Sequence, residues 1–134
     1  MRLLGVDYGK KRIGIAFSTS DFVSPLEVLT AKGVDEAIAR ICFLTASEQA
    51  EAVVVGVPLN QSGEPTMESL EIKGFCRRLA PFLRVPIKFQ DEAFSSREAL
   101  KTAVEAGVSQ ESRKALDNLA ACEILRRYIE ENRK

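Results

Sequence analysis

The chain has 134 residues, of which 46% are hydrophobic, enough to bury the core of one ordinary domain. We therefore expect residues 1–134 to form a single domain. Its 19 basic and 19 acidic residues cancel, which argues against a strongly basic nucleic-acid binder but leaves local patches open. Histidine is absent, which excludes the Ser-His-Asp triad, the Cys-His dyad and zinc sites built on histidine. Hydrolytic chemistry would have to use carboxylates, Lys, Tyr or a hard metal ion held by oxygen ligands.

The sequence contains no apolar run near the roughly 20 residues that span a bilayer, and it begins directly in a strand pattern. We therefore expect neither membrane association nor a signal peptide. Cys42, Cys76 and Cys122 lie far apart, within helical patterns and without metal-ligand spacing. We expect them to be reduced, buried and inert in the cytoplasm.

The first elements in chain order form a predicted hairpin. Residues 3–18 begin as an apolar run, reach Asp7, turn through Gly9 and three cations, and become apolar again. This pattern predicts a strand, a tight turn and an antiparallel return strand. Residues 23–30 predict a third strand, and its Pro25 suits an edge strand or a strand start.

The middle of the chain alternates between helical and strand patterns. A helix is predicted from Asp35, as its cap, to about residue 49. In the predicted strand from Glu51 to Val57, residues 52–57 are continuously apolar and rich in β-branched side chains, as expected for a parallel strand covered on both faces. A polar loop then leads into a helix near Thr66 with an apolar stripe that includes Phe82 and extends to Leu83, and Val85-Pro86 opens a further strand.

Two predicted helices close the chain. Ser95 and Glu98 form a capping box that starts a short helix ending at Gly107, and the last helix covers residues 110–132. Three strands followed by β-α alternation predict an α/β fold. Its mixed five-stranded sheet would be antiparallel in the first three strands and would have helices on both faces.

Acidic residues occupy unusual positions on three of these elements. Asp7 ends the first strand, Asp91 and Glu92 end the last strand, and Asp117 lies on the inward stripe of the final helix, in register with Ala121. Ligands gather at the carboxyl ends of parallel strands, and clustered carboxylates stay ionised only with a cation between them. Mg²⁺ or Mn²⁺ suits such oxygen ligands. Two such ions, roughly 4 Å apart, would clamp the attacking and leaving oxygens of a phosphodiester.

Each acidic position also has a structural interpretation that the spacing leaves open. Asp7 can simply open a turn, because Asp favours turns. The Asp91-Glu92 pair can be a solvated strand end. Asp117 can pair with Arg113, which lies one helical turn earlier.

Basic residues flank two of the acidic positions. They are Lys10, Lys11, Arg12, Arg113 and Lys114. Cations beside a carboxylate site fit a phosphate backbone on either side of a scissile bond, although the first three could equally form a solvated turn. Asn60 and Gly63, in the polar loop after the apolar strand, could add amide and backbone contacts.

Taken in order, these motifs resemble the YqgF family, also called RuvX-like, whose members are assigned as resolvases and pre-16S rRNA nucleases. The resemblance spans nearly the whole chain. The matching segments are residues 5–16, residues 54–60 with Gly63, Asp91-Glu92, Ser95-Ser96 with Glu98-Ala99, and Asp117 with Ala120-Ala121 and Ile124-Leu125.

The resemblance implies a ribonuclease H-like fold and a metal-dependent nuclease site. Asp7 and Asp117 match the acidic positions of the family, and the strand-end ligand is either Asp91 or Glu92. Strand alternation favours Asp91, since it follows Ile87 and Phe89 on one face. The family usually has Asp-Glu-Arg at this strand end, whereas this chain has Ala93 in the third position, which weakens a phosphate contact there.

The function implied by the resemblance is a Mg²⁺- or Mn²⁺-dependent nuclease acting on structured RNA, at the 5′ end of the small-subunit rRNA precursor. The alternative enzyme is a Holliday junction resolvase acting on branched DNA, which would need a dimer, so monomer and homodimer stay open. A different class is a non-catalytic nucleic-acid binding module. An ATPase of the actin and sugar-kinase type ranks last, because such proteins need two domains around the nucleotide and we expect only one here. The sequence also has no Walker-type phosphate loop.

Overall fold

The computed structural model describes residues 1–9, 11–20, 22–30, 33–60, 62–92 and 110–132, with the backbone alone for 110–118. The predicted helix from Ser95 to Gly107 lies outside these residues, and the prediction of a single domain stays a prediction. The elements are β1 (Leu3–Tyr8), β2 (Ile13–Ser18), β3 (Val23–Leu29), α1 (Val34–Ser47), β4 (Ala52–Pro58), α2 (Met67–Leu79), a 3₁₀ turn (Ala80–Phe82), β5 (Ile87–Glu92) and α3 (Gln110–Glu131).

The five strands form one mixed sheet in the order β3-β2-β1-β4-β5. The first three pair antiparallel, while β1 with β4 and β4 with β5 pair parallel. The turn between β1 and β2 is tight, because the N–H of Gly9 donates to the carbonyl of Arg12 at 3.0 Å. A Cβ on Gly9 would lie only 2.7 Å from that carbonyl oxygen, so the turn requires glycine here. The predicted hairpin and mixed sheet are confirmed.

The position of each strand in the sheet follows from its sequence. Every residue of β4 is buried, as its continuous apolar run predicts for a strand covered on both faces. β3 is an edge strand, which suits Pro25 because proline cannot donate a ladder hydrogen bond. β1 and β4 are neighbours near the centre of the sheet, so their carboxyl ends lie side by side.

Helices cover both faces of the sheet, and each face has its own core. On the first face, α1 and α2 pack on alternate residues of the central strands, including Leu4, Val6, Val53 and Val55. On the second face, α3 packs on the intervening residues, including Leu3, Ala16, Ala52 and Val54. Among the described residues, no helix is long and apolar enough to cross a membrane.

Two helix boundaries differ from the sequence prediction. α1 begins after Gly33 without a side-chain cap, and Asp35 lies in its first turn, where its carboxylate is 3.2 Å from Arg78. α2 ends at Leu79, so the predicted inward Phe82 lies in the 3₁₀ turn and is 66% exposed. The predicted start near Thr66 is confirmed, because Thr66 caps the helix.

Candidate active site

Asp7 ends β1 on the face of the sheet that α3 covers. Gly5, two residues earlier on the same face, lies so close to α3 that a Cβ would be 2.5 Å from Cγ of Leu125. Asp7 pairs with Gly14 of β2, and it follows Val6, whose pairing with Val55 is the last of the β1–β4 register. Oδ1 of Asp7 is buried. A buried carboxylate oxygen thus lies at the end of β1, beside a glycine of β2 and one residue beyond the last β1–β4 pair.

Glu92, at the end of β5, lies on the same face as Asp7. In the β4–β5 register, Gln90 pairs with Gly56 and Glu92 with Pro58, so Glu92 alternates onto the α3 side. A Cβ on Gly56 would lie 2.8 Å from the carboxyl carbon of Glu92. The Glu92 carboxyl therefore extends back over Gly56, on the face that α3 covers.

Asp91 lies on the opposite face. The predicted alternation of Ile87, Phe89 and Asp91 is present, but Ile87 packs into the core beneath α1 and α2, and Asp91 is exposed beside Val57. The same alternation therefore favours Glu92, not Asp91, as the strand-end acid that shares a face with Asp7.

The backbone of Asp117 lies in α3, four residues before Ala121, whose carbonyl oxygen would be 3.1 Å from a Cβ on Gly5. Its side chain lies outside the described residues, so the proximity of Asp7 and Asp117 stays a prediction. Among the side chains that are described, no three His, Cys, Asp or Glu residues cluster as a metal site. Asp7 and Glu92 can supply two carboxylates, and a third would have to come from beyond the described side chains.

The predicted phosphate contacts are only partly described. Lys11 is exposed and Arg12 half-buried on the turn that follows Asp7. Lys10 lies outside the described residues, and so do the side chains of Arg113 and Lys114 in the first turn of α3. Lys11 and Arg12 therefore lie on the turn that follows β1, the strand that carries the buried carboxylate oxygen of Asp7.

Asn60 organises the loop after β4. Its Oδ1 accepts the N–H groups of Ser62 at 3.0 Å and Glu64 at 2.8 Å, and its carbonyl accepts the N–H of Gly63 at 2.9 Å. Gly63 has a positive φ of 78°, a conformation that favours glycine. The oxygen of Asn60 thus shapes the loop, and contact with nucleic acid stays a prediction for this exposed residue.

Gln90 is a buried polar residue beside the candidate site, and the sequence analysis did not single it out. It is only 5% exposed, and its Nε2 donates to the carboxylate of Glu131 in α3. This bond ties the last turn of α3 to β5, two residues before Glu92. The alternation in β5 that separates Gln90 and Glu92 from Asp91 could have identified it, because a buried amide needs a partner.

The cysteines supply no nucleophile to this site. All three are free; Cys76 and Cys122 are buried, whereas Cys42 is half-buried, contrary to the prediction that all three are buried. Burial raises the pKa of the Cys76 thiol to about 11 and also raises the pKa of Cys42 and Cys122. The thiols are therefore protonated at neutral pH, and the thiol is a much weaker nucleophile than the thiolate.

A family model described as "RuvX: Holliday junction resolvase" matches residues 1–131. Among curated proteins, the chain is 37% identical to a "Putative pre-16S rRNA nuclease" of Syntrophomonas wolfei, covering 97% of this chain and 94% of the relative. It is 35% identical to a protein of the same description from Chlorobium phaeobacteroides, covering 96% of this chain and 92% of the relative.

Solved structures share the fold at lower sequence identity. Thermus thermophilus RuvC in complex with a Holliday junction has a TM-score of 0.60 and 19% identity, covering 99% of this chain and 97% of RuvC. The fowlpox virus Holliday junction resolvase has a TM-score of 0.54 and 18% identity, covering 98% of this chain and 99% of that protein. The ribonuclease H-like fold predicted from the sequence is confirmed.

Proposed function

Since this chain belongs to the RuvX family, we propose that it is a metal-dependent nuclease that hydrolyses phosphodiester bonds in structured nucleic acid. The observation that carries the proposal is the shared face of Asp7 and Glu92. One carboxylate oxygen is buried at the end of β1, and the other carboxyl lies over Gly56. Like charges gathered at strand ends are held together by a cation or remain a destabilising pair.

The residues fit a hard divalent ion. Asp7, Glu92 and Asp117 would supply oxygen ligands, which Mg²⁺ and Mn²⁺ prefer. Glu92 takes the place that the sequence pattern assigns to Asp91, because it shares the α3 face with Asp7. When bound, the ion would polarise the phosphodiester and favour the hydroxide form of the attacking water.

The protein's own side chains would position this chemistry. Asp7 is fixed by the central strand β1, and Glu92 is held over Gly56 against Ile124 of α3. The Gln90–Glu131 bond fixes β5 to α3, so the strand that carries Glu92 is restrained. Preorganised groups of this kind need no rearrangement during the reaction.

The basic residues at the site would contact the phosphates that flank the scissile bond. They are Lys10, Lys11 and Arg12, which follow β1 in the sequence, and Arg113 and Lys114 near the start of α3. Asn60 would add an amide contact from the loop after β4. This patch would bind nucleic acid locally although the charge of the whole chain is balanced.

We propose structured RNA as the substrate, at the 5′ end of the small-subunit rRNA precursor. In support, curated relatives at 35–37% identity over nearly their full length are described as "Putative pre-16S rRNA nuclease". The second candidate is a four-way DNA junction, favoured by the description of the family model. Paired cuts in a junction require two active sites, hence a homodimer. RNA processing would be possible for a monomer.

A cleavage assay tests the proposal and separates the substrates. The full chain is incubated with a structured rRNA precursor and with a four-way DNA junction, each with Mg²⁺, Mn²⁺ or EDTA. We expect cleavage of the RNA with a divalent metal and none with EDTA, and Asp7→Asn prepared in parallel controls for contaminating nucleases. Preferential cleavage of the junction would favour the resolvase, and binding without cleavage under every metal condition would favour a binding module.

A further inference from the structure

Gly56 interrupts the β-branched run of β4 at a position where glycine is costly. Glycine within a strand destabilises it by roughly 0.5–1 kcal/mol relative to alanine. The backbone does not explain its presence, because among the described glycines only Gly63 has a positive φ. The reason must therefore be space above the Cα atom.

Two groups occupy that space. A Cβ on Gly56 would lie 2.5 Å from Cδ1 and 2.8 Å from Cγ1 of Ile124, and 2.8 Å from the carboxyl carbon of Glu92. Real Cβ atoms essentially never approach so closely. Ile124 is buried and cannot withdraw without moving α3, whereas Glu92 is half-buried at the strand end and can swing away.

We infer that Gly56 is a positioning residue for Glu92: its missing side chain leaves the space in which the Glu92 carboxyl lies over β4, on the face of the sheet that Asp7 shares. This inference rests on the proposed function, in which Glu92 is a metal ligand. A side chain at position 56 would displace the carboxyl outward and away from Asp7. The loss would appear in metal affinity even where the fold survives.

Gly5 provides a matched comparison on the same face. A Cβ there would lie 2.5 Å from Cγ of Leu125 and 3.1 Å from the carbonyl oxygen of Ala121. The contact with α3 is as close as at Gly56, but it involves no carboxylate. Gly5→Ala therefore reports the effect of displacing α3, and Gly56→Ala reports the same effect plus the displacement of Glu92.

The experiment is a double-mutant cycle in the full chain. Mn²⁺ affinity is measured by titration calorimetry, and melting temperature and nuclease activity are measured on the same samples. The variants are wild type, Gly56→Ala, Glu92→Gln, the Gly56→Ala/Glu92→Gln pair and Gly5→Ala. If Gly56→Ala does not fold, Gly56→Ala/Ile124→Val replaces it and is compared with Ile124→Val, which removes the nearest atom of α3.

We expect Gly56→Ala to weaken Mn²⁺ binding by about 10- to 100-fold, as loss of a supporting group commonly does. Gly5→Ala should lower the melting temperature with a smaller effect on affinity. In the Glu92→Gln background, Gly56→Ala should cost no further affinity, because both changes remove the same ligand. An equal loss in both backgrounds, or an equal loss in Gly5→Ala, would overturn the inference. Unchanged affinity and cleavage in Glu92→Gln would instead overturn the ligand assignment itself.

Discussion

The two faces of the sheet are built from different side chains, although they share the same five strands. Beneath α1 and α2, the central strands present large aliphatic side chains such as Leu4, Val6 and Val55. Beneath α3, β1 and β4 present Gly5 and Gly56, both within 3 Å of α3 side chains once a Cβ is added. At Gly5 and Gly56 of the second face, side chains of α3 thus occupy the space that sheet side chains fill on the first face.

Because of this difference, the residues that contribute most to stability and the candidate catalytic residues lie on opposite faces of the sheet. Large aliphatic side chains bury the most apolar area and hence stabilise the fold most. Glycines on the other face contribute little burial, but they bring α3 close and leave room for carboxyls at the strand ends. Changes on the α1/α2 face should therefore reduce stability, whereas changes at the strand ends of the α3 face should reduce activity.

The largest expected effect is that of Asp7→Asn on the α3 face. The change keeps the shape of the side chain but removes a ligand charge, so cleavage should fall by orders of magnitude. RNA affinity should persist, and the melting temperature of the metal-free protein should stay equal or rise as repulsion among acids is relieved. Asp35→Asn is the control, because Asp35 lies in α1, on the opposite face of the sheet. Unchanged cleavage would exclude Asp7 as a ligand, and failure to fold would make its role structural.

A second pair of variants compares adjacent acids on opposite faces. Glu92→Gln should reduce cleavage and Mn²⁺ affinity by roughly 10- to 100-fold or more. Asp91→Asn should change either quantity only a few-fold at most, because Asp91 lies on the face opposite Asp7. Kinetics and metal titration on both variants provide the measurement. A larger loss of cleavage and Mn²⁺ affinity in Asp91→Asn than in Glu92→Gln would identify Asp91 as the ligand.

Ile41→Ala tests the α1/α2 face. Ile41 is fully buried in α1, and truncating such a side chain costs about 2–5 kcal/mol of unfolding free energy. Cleavage per folded molecule should be unchanged, which urea titration and an activity assay can establish together. Leu70→Ala, at an exposed position of α2, should change stability by about 0.5 kcal/mol or less. A loss of specific activity in Ile41→Ala would mean that the faces are coupled.

Replacing the three cations at the end of β1 tests the phosphate patch. If Lys10, Lys11 and Arg12 bind phosphates, changing all three to Ala should reduce the slope of log affinity against log salt by roughly 0.7 to 0.9 for each phosphate that is no longer neutralised. Lys73→Ala, at an exposed position of α2, should leave the slope unchanged. Binding isotherms at several salt concentrations measure it. An unaltered slope in the triple variant would identify these residues as a solvated turn.

The smallest expected effect is at the rim of the α1/α2 face, where Arg40 donates to both carboxylate oxygens of Glu27, at 2.5 and 2.7 Å. The hydrogen bond from Arg40 lowers the pKa of Glu27. The pair therefore contributes stability above the ordinary pKa of Glu, and this is lost as pH falls through the lowered pKa. Glu27→Gln should cost less than about 1 kcal/mol near pH 7, and the difference from wild type in urea unfolding should shrink in acid. A pH-independent difference would contradict the assignment.

Much of the fold could be predicted because local patterns fix local structure. The apolar run of β4 predicts a strand buried on both faces, and Pro25 suits an edge strand or a strand start, of which the structure has the edge strand. The end of α2 could not be predicted in this way. Phe82 continues the apolar stripe in sequence, but the helix stops at Leu79 and the side chain is exposed. A helical periodicity says which residues would share a face, and not where the helix ends.

The sequence pattern alone was sufficient to show that Asp7 ends a buried strand and that Asp91 and Glu92 lie on opposite faces of β5. It also showed which family the motifs resemble. It could not show that Glu92 shares a face with Asp7 or that Gly56 makes room for its carboxyl, which became visible in the packed sheet. The physical reason is that alternation fixes faces within one strand, whereas the face shared by two strands depends on their register. A shift of one residue in the β4–β5 pairing would exchange Glu92 for Asp91, and long-range packing of the strands and α3 sets that register.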